Sequence, residues 1–268
     1  MAYSYWSNDQ RGDFAVWVGD WKDNYVEVNS SSKHIRHWAI GYGGNDYMVG
    51  GNNDDTIYGD LGNDVLSGDY GNDELHGGYG TDTLWGGVGN DYLWGDNGND
   101  KLYGDSGNDV IYGGAGNDFI NGGFDNDILF GEDNNDEIRG GVGNDWLEGG
   151  NGNDLLWGDE GSDTLVGGNG NDTLWGMSDT NNILYGGDGL DTFFYSIHSG
   201  DGISTILDYT PGKDRICMYG LTNWYSYGND LIISDSNYSR GMIIQNAAGK
   251  NITFTGDING TYKSPSPS

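Results

Sequence analysis

The chain is poor in the residue types that mark most catalytic centres, nucleic-acid surfaces and membrane spans. Its 268 residues include one cysteine, Cys217, which allows no internal disulfide, and only three prolines. Eleven basic residues stand against 42 acidic ones, and a formal net charge of −31 argues against nucleic acid as a partner. No apolar run approaches the roughly 18 residues of a membrane span, so the sequence predicts no transmembrane segment.

Motifs of common catalytic centres are also missing. The sequence has no G-x-S-x-G, no H-E-x-x-H and no phosphate-binding loop. Residues 104–107, Gly-Asp-Ser-Gly, resemble the motif around the catalytic serine of serine proteases. However, Ser106 occupies an ordinary position of the nine-residue repeat described below. The flanks of that repeat region are too short for a separate catalytic domain. The sequence therefore predicts a protein that is not an enzyme.

A nine-residue repeat fills residues 41–175 in fifteen consecutive copies of the pattern G-(G/D)-x-G-N-D-x-(L/I)-x. Position 1 is glycine in every copy, and position 4 is glycine except at Asn53, Asp125 and Asn134. Glycine, asparagine and aspartate are the residues that best tolerate positive φ, so position 4 is predicted to be left-handed. A short fixed period indicates stacked units that each contact only their neighbours.

The hydrophobic pattern predicts a parallel β-solenoid. Positions 1–6 are typical of a tight turn and positions 7–9 of a short strand, in which only position 8 points inward because strand side chains alternate. Two copies would form one coil of eighteen residues, with strands eighteen residues apart lying side by side. Position 8 is apolar throughout: Met48, Ile57, Leu66, Leu75, Leu84, Leu93, Leu102, Ile111, Ile120, Leu129, Ile138, Leu147, Leu156, Leu165 and Leu174.

Position 6 is an aspartate in every copy, and these side chains are the candidate metal ligands. Residues 41–191 hold 31 acidic residues and only two basic ones, so the acidity belongs to the repeats. Alternate copies place the aspartates in rows on two turn edges, with neighbours about 4.8 Å apart. The residues are Asp46, Asp55, Asp64, Asp73, Asp82, Asp91, Asp100, Asp109, Asp118, Asp127, Asp136, Asp145, Asp154, Asp163 and Asp172.

The carboxylates within each row repel one another. The apolar core is too small to offset this repulsion. One buried leucine contributes roughly 1.5–3 kcal/mol, whereas ordering a residue costs roughly 1–2 kcal/mol. A divalent cation between turns reverses the sign of the interaction. Calcium binds 6–8 oxygens from carboxylates and carbonyls, which glycine-rich turns expose.

The repeat, for example residues 86–94, resembles the haemolysin-type calcium-binding nonapeptide of RTX (repeats-in-toxin) proteins. The resemblance implies an all-β fold, a right-handed parallel β-roll. It also implies roughly one calcium ion per repeat, held between consecutive turns by position-6 aspartates and turn carbonyls. Such proteins are typically secreted by Gram-negative bacteria through type I secretion and fold in extracellular calcium. Toxins, proteases, lipases, adhesins and surface-layer proteins share the module, so the family indicates the metal and not the role.

The predicted organisation is an N-terminal β cap at residues 1–40, the roll at 41–194, a C-terminal β cap at 195–262 and a tail at 263–268. An extra residue follows Gly176, Asn182 replaces an aspartate, and a last copy ends with Asp191 as a further metal ligand. After this copy, Asp201, Asp208 and Asp214 would either hold another calcium or cap turns. In the N-terminal cap, His34 and His37 would either share a metal or act as single cap histidines.

Two outward-facing patterns point to alternative binding functions. Position 9 is aromatic in eight copies, which predicts a row of three outward aromatic side chains and a separate pair. These side chains would either contact a glycan or a cell-surface partner or stiffen the sheet. Position 5 is mostly asparagine, a ladder that ice-binding rolls also use, but position 3 is too irregular for a flat array. The candidate partner residues are Trp94, Tyr112, Phe130, Trp157 and Trp175.

The sequence as a whole predicts a non-catalytic, extracellular protein that folds on binding calcium and serves in adhesion or in surface or matrix structure. The alternative is the C-terminal calcium-binding module of a secreted enzyme or toxin. Ice binding is a third, minor hypothesis.

Overall fold

The structure is a computed structural model that describes residues 14–27, 36–176, 181–196, 203–219, 223–227, 230–234, 241–245, 251–256 and 260–263. All the secondary-structure elements in these ranges are β-strands, which confirms the all-β prediction. The described residues contain no helix long and apolar enough to cross a membrane.

The chain divides into two compact units, Met1–Glu137 and Ile138–Ser268. Strands β1–β13 belong to the first unit and β15–β27 to the second, while β14 begins at the last residue of the first. The bounds are β1 Phe14–Val18, β2 Tyr25–Glu27, β3 Arg36–Ile40, β4 Tyr47–Asn52, β5 Thr56–Leu61, β6 Val65–Tyr70, β7 Glu74–Tyr79, β8 Thr83–Val88, β9 Tyr92–Asn97, β10 Lys101–Ser106, β11 Val110–Ala115, β12 Phe119–Phe124, β13 Ile128–Asp133, β14 Glu137–Val142, β15 Trp146–Asn151, β16 Leu155–Glu160, β17 Thr164–Asn169, β18 Thr173–Trp175, β19 Ile183–Asp188, β20 Thr192–Ser196, β21 Ile203–Ile206, β22 Arg215–Tyr219, β23 Asn223–Tyr227, β24 Asp230–Ser234, β25 Gly241–Ile244, β26 Asn251–Gly256 and β27 Gly260–Lys263.

In the first unit the odd-numbered strands form one parallel sheet and the even-numbered strands form another. Leu102 lies opposite Leu84 on one side and Ile120 on the other, so neighbouring strands are eighteen residues apart, as predicted. The N-terminal strands differ from the expectation. We expected them to cover the first coil, but β1 pairs with β3 and β2 with β4 in parallel, so they extend the solenoid.

The second unit repeats this design and ends in antiparallel hairpins. Strands β15, β17, β19 and β21 pair in parallel, as do β16, β18, β20 and β22. Strand β25 then pairs antiparallel with β24, and β26 with β27. Strands β24, β25 and β26 lie within residues 195–262, the part of the chain predicted as the C-terminal β cap.

The predicted division of the repeat into turn and strand is wrong in one respect. Strands are six residues long: β8, Thr83–Val88, covers positions 7–9 of one copy and positions 1–3 of the next. The turn therefore shrinks to positions 4–6. Glycines at positions 1 and 2 favour a turn when one copy is considered, but both lie within the strand, and position 2 is paired in the register with the neighbouring coil.

The position-8 residues form the core, as expected, and are at most 1% exposed. They are not the only inward residues, because the position-1 glycines and position-6 aspartates are buried too. A Cβ on Gly59 would collide with Oδ2 of Asp64 and with the carbonyl of Gly77, so position 1 must be glycine for space. Position 4 is glycine for its backbone, since Gly62 has φ 145° and Asn53 φ 90°, which confirms the left-handed prediction.

Candidate calcium sites

Each position-6 aspartate is placed by the turn that precedes a strand, and its side chain lies inside the coil. All fifteen, and Asp191 as well, are 3% exposed or less. Their positions repeat every eighteen residues on each edge, and nineteen between Asp172 and Asp191, so each unit holds two columns of carboxylates. Burial of the aspartates was not expected from the sequence, which placed them along the turn edges.

One oxygen of each carboxylate holds neighbouring coils together. The backbone N–H of Asp64 donates to Oδ1 of Asp82 at 2.7 Å, and that of Asp73 donates to Oδ1 of Asp91 at the same distance. In the second unit the N–H of Asp154 donates to Oδ1 of Asp172 at 2.9 Å. Hydrogen bonds to a charged acceptor contribute roughly 1.5–3 kcal/mol. Sequence reasoning missed this role, because it treated both oxygens as ligands.

The other oxygen is buried without a hydrogen-bond partner. A buried anionic oxygen left unpaired costs several kcal/mol, so protein interiors pair such atoms or place a metal beside them. The atoms concerned are the Oδ2 of Asp46, Asp55, Asp64, Asp73, Asp82, Asp91, Asp100, Asp109, Asp118, Asp163, Asp172 and Asp191.

Burial also shifts the acidity of these groups. Desolvation raises the pKa of Asp73 and of Asp109 to about 8, and the pKa of Asp64 and of Asp100 to about 7. The backbone N–H that each carboxylate accepts lowers the pKa, while the neighbouring aspartates of the column raise it further. The ionised columns are therefore unfavourable at neutral pH without a counter-charge.

Calcium fits this arrangement. Carboxylates one strand spacing apart are separated by about 4.8 Å. An ion that binds oxygens at about 2.3–2.6 Å can bridge such a pair. Among the described residues no three histidine, cysteine, aspartate or glutamate side chains converge as a metal cluster, so backbone carbonyls or water must complete the 6–8 ligands.

The C-terminal candidates separate into two kinds. Asp191 keeps a buried Oδ2 without a hydrogen-bond partner, like the other column members. Asp208 accepts the N–H groups of Gly186 and Gly187 at 3.0 and 2.7 Å, and Asp214 accepts those of Asp191 and Thr210 at 3.2 and 2.6 Å. Both oxygens of each carboxylate are therefore engaged, which favours the turn-capping interpretation of these two residues. The third candidate of that group, at position 201, lies outside the described residues.

His37 also has a local partner. Its Nδ1 lies 2.9 Å from Oδ1 of Asp55, and both side chains are buried. The contact is with the first aspartate of a column; His34 lies outside the described residues.

The position-5 side chains accept hydrogen bonds from the coil that follows, whereas the position-6 aspartates accept them from the coil that precedes. Oδ1 of Asn90 accepts the N–H of Asn108 in the next coil at 2.7 Å, and Oδ1 of Asn63 accepts that of Thr81 at 2.9 Å. These side chains are exposed, yet their oxygens hold consecutive turns together. One role of the asparagine ladder is therefore to join consecutive turns.

The aromatic residues of the first unit stack on one another. Ring centroids are 5.8 Å apart between Trp94 and Tyr112 and 4.9 Å apart between Tyr112 and Phe130, with planes within 10°. His76, which the sequence did not place in the row, continues it by stacking between Tyr58 and Trp94 at 4.6 and 4.4 Å. The inner rings cover each other's faces, so the row presents ring edges outward.

The second unit has a shorter aromatic row. Trp157 and Trp175 lie opposite each other in the register of β16 and β18, and Trp175 stacks on Phe194 at 4.1 Å. The guanidinium carbon of Arg139 lies 4.6 Å from the ring centroid of Trp157, a cation–π contact.

Register, burial and oxygens without hydrogen-bond partners define a parallel β-solenoid whose turns carry columns of carboxylates suited to cations. The family model for the RTX calcium-binding nonapeptide repeat matches residues 38–66, 67–102, 94–129, 103–138, 130–165, 139–174 and 167–196. The matches extend over more than half of the 268 residues, and the chain belongs to this family of calcium-binding repeats. No curated protein matches the chain.

Proposed function

We propose that the protein is a non-catalytic, extracellular calcium-binding protein that folds when calcium fills the carboxylate columns. The position-6 aspartates and Asp191 are the side-chain ligands, at roughly one ion per repeat. The buried Oδ2 atoms carry this proposal, because each is an anionic oxygen enclosed by protein and left without a hydrogen-bond donor. A divalent ion between two such atoms removes the desolvation cost and the repulsion between neighbours together.

The proposed biological role is adhesion or surface and matrix structure. RTX repeats are typical of proteins that Gram-negative bacteria secrete, which supports a location outside the cell. The stacked rings of Trp94, Tyr112 and Phe130 support a structural role more than glycan stacking, since each inner ring has both faces covered. Their outward edges, together with the half-exposed Tyr92 and Ile128, offer an apolar surface to a protein partner.

The alternative is a calcium-binding module of a larger secreted enzyme or toxin. The same columns serve either function, so the discriminating observation is the length of the natural reading frame. A catalytic region upstream favours the module.

Circular dichroism with and without calcium tests the calcium-coupled fold. In chelator the chain is expected to be mostly disordered, because binding energy supplies the folding energy. Adding calcium should produce a β-sheet spectrum at roughly 0.1–1 mM, the range of extracellular modules. Magnesium is the control, since it prefers octahedral geometry and keeps its water. A chelated protein with the full β-sheet spectrum would contradict the proposal.

A further inference from the structure

Within the described residues, both carboxylate columns of the first unit begin at a residue that is not an aspartate. Asn24 precedes Asp46 in one column, and His37 precedes Asp55 in the other. Each donates its backbone N–H to Oδ1 of the first aspartate at 2.7 Å, the same bond that joins successive aspartates. Asn24 and His37 are 8% and 5% exposed, so both lie in the column and not beside it.

Asn24 puts a donor where an aspartate puts its second oxygen. A Cβ on Gly19 would meet Nδ2 of Asn24 and the carbonyl of Gly41, just as a Cβ on Gly41 would meet Oδ2 of Asp46 and the carbonyl of Gly59. The two coils are therefore equivalent, with an N–H2 group in the place of the buried oxygen. That Nδ2 donates to the carbonyl of Lys22 at 2.6 Å and to Oδ1 of Asp46 at 2.9 Å.

His37 makes the same substitution with a different side chain. Its Nδ1 lies 2.9 Å from Oδ1 of Asp55. An ionised carboxylate can only accept, so Nδ1 carries the hydrogen. The first aspartate of each column thus receives two N–H donors on one oxygen, one from the backbone and one from a side chain.

The second unit contains a third case. The N–H of Asp163 donates to Oδ1 of Asn182 at 2.7 Å, so this side chain keeps the acceptor and carries an N–H2 donor instead of a second, anionic oxygen.

We propose that Asn24 and His37 are stop residues that end the calcium columns, and that Asn182 acts in the same way. Each of these side chains carries an N–H group where an aspartate carries its anionic oxygen. It repels a cation there while keeping the hydrogen bond that joins the coils. These residues therefore determine which turns take calcium and how many ions the protein holds. The inference rests on the proposed role of the aspartates as calcium ligands.

The test is the calcium count of Asn24→Asp, measured by native mass spectrometry and equilibrium dialysis at saturating calcium. The turn from Gly19 to Asn24 aligns with the first six positions of a repeat, with Lys22 at position 4, so Asn24→Asp is expected to bind one ion more than the wild type. His37→Asp, measured in parallel, is expected to gain one ion as well.

The matched control is Asn63→Asp, which makes the same change of amide to carboxylate on the exposed position-5 ladder. Asp54 already occupies that position in another coil and accepts the N–H of Asn72 at 3.0 Å, so a carboxylate is tolerated there. The control is expected to bind as many ions as the wild type.

The outcomes separate the two proposals. A wild type without bound calcium would overturn the proposed function. A calcium-loaded wild type with no extra ion in Asn24→Asp and His37→Asp would overturn the stop role alone. Loss of the β-sheet spectrum at saturating calcium in either variant also counts against it, because calcium should neutralise the added carboxylate. An extra ion in the control would attribute the gain to charge and not to the column.

Discussion

Asp109 offers the clearest separation of the two roles of a column aspartate. Its Oδ1 accepts the N–H of Asp91 at 2.7 Å, and its own N–H donates to Oδ1 of Asp127 at 2.8 Å. Its Oδ2 is buried without a hydrogen-bond partner. Asp109→Ala removes the acceptor and the ligand together, whereas Asp109→Asn keeps the acceptor and removes only the anionic oxygen. Asn182 shows that an asparagine makes the acceptor bond, at 2.7 Å from the N–H of Asp163.

The hydrogen-bond role has a magnitude of its own. Asp109→Ala leaves the N–H of Asp91 buried without its acceptor, which costs about 1–3 kcal/mol. We therefore expect Asp109→Ala to be less stable than Asp109→Asn by about 1–3 kcal/mol, measured by denaturant unfolding at saturating calcium. Both variants should bind calcium more weakly than the wild type in a titration, because both lack the second carboxylate oxygen.

The control is Asn108→Ala, the neighbouring residue on the exposed ladder, whose Oδ1 accepts the N–H of Asn126 at 3.1 Å. It should lower stability by about 0.5–1.5 kcal/mol without changing the calcium affinity. Equal stability of Asp109→Ala and Asp109→Asn would refute the acceptor role. Unchanged calcium affinity in both would refute the assignment of position 6 as the ligand.

Three further predictions concern pH, glycine and the aromatic row. Because burial raises the pKa of Asp109 from 3.8 to about 8, the metal-free fold holds extra protons, so its stability is greatest below about pH 4 and is lost as pH rises from about 4 to 8. Calcium must displace those protons, so we expect the midpoint of the calcium titration to rise as pH falls from about 8 to about 6. Calorimetry in two buffers should show the release of protons on binding. A midpoint independent of pH would contradict this prediction. Gly59→Ala should cost about 1–3 kcal/mol in the calcium-bound form, because its methyl group collides with a carboxylate and a carbonyl, and an unchanged melting temperature would refute the packing. Replacing Trp94, Tyr112 and Phe130 with threonine keeps strand propensity and should leave calcium-induced folding intact while it weakens partner binding or self-association, measured by sedimentation and glycan binding; lost folding would show the row to be structural.

Periodicity alone predicted the features that depend on spacing. The eighteen-residue register, the ladder of position-8 residues such as Leu84 and Leu102, and the alignment of the aspartates all follow from a period of nine. Positive φ at position 4 followed from the three exceptions to glycine, because asparagine and aspartate share its tolerance.

The features that depend on neighbouring coils were not predictable in this way. Glycine at position 1 favours a turn when one copy is considered, and only the carbonyl of the next coil shows that it is a strand residue without room for a Cβ. His76 joins the aromatic row because it occupies position 9, but counting only phenylalanine, tyrosine and tryptophan at that position passes over a histidine. Asn24 was missed because its turn has Lys22 where the repeat has glycine, although Gly19 and Asp23 keep the spacing.

The contrast between positions 5 and 6 explains the chemistry of the repeat. Both side chains accept a backbone N–H from a neighbouring coil, position 5 from the coil that follows and position 6 from the coil that precedes. Position 5 needs one exposed acceptor, so asparagine and Asp54 serve equally well. Position 6 needs the same acceptor and, in addition, an anionic oxygen inside the coil. Only a carboxylate with a one-carbon stem supplies both atoms at that depth, and an asparagine there supplies the first while it replaces the second with a donor. A single-atom exchange at this position therefore distinguishes a turn that takes calcium from one that ends the column.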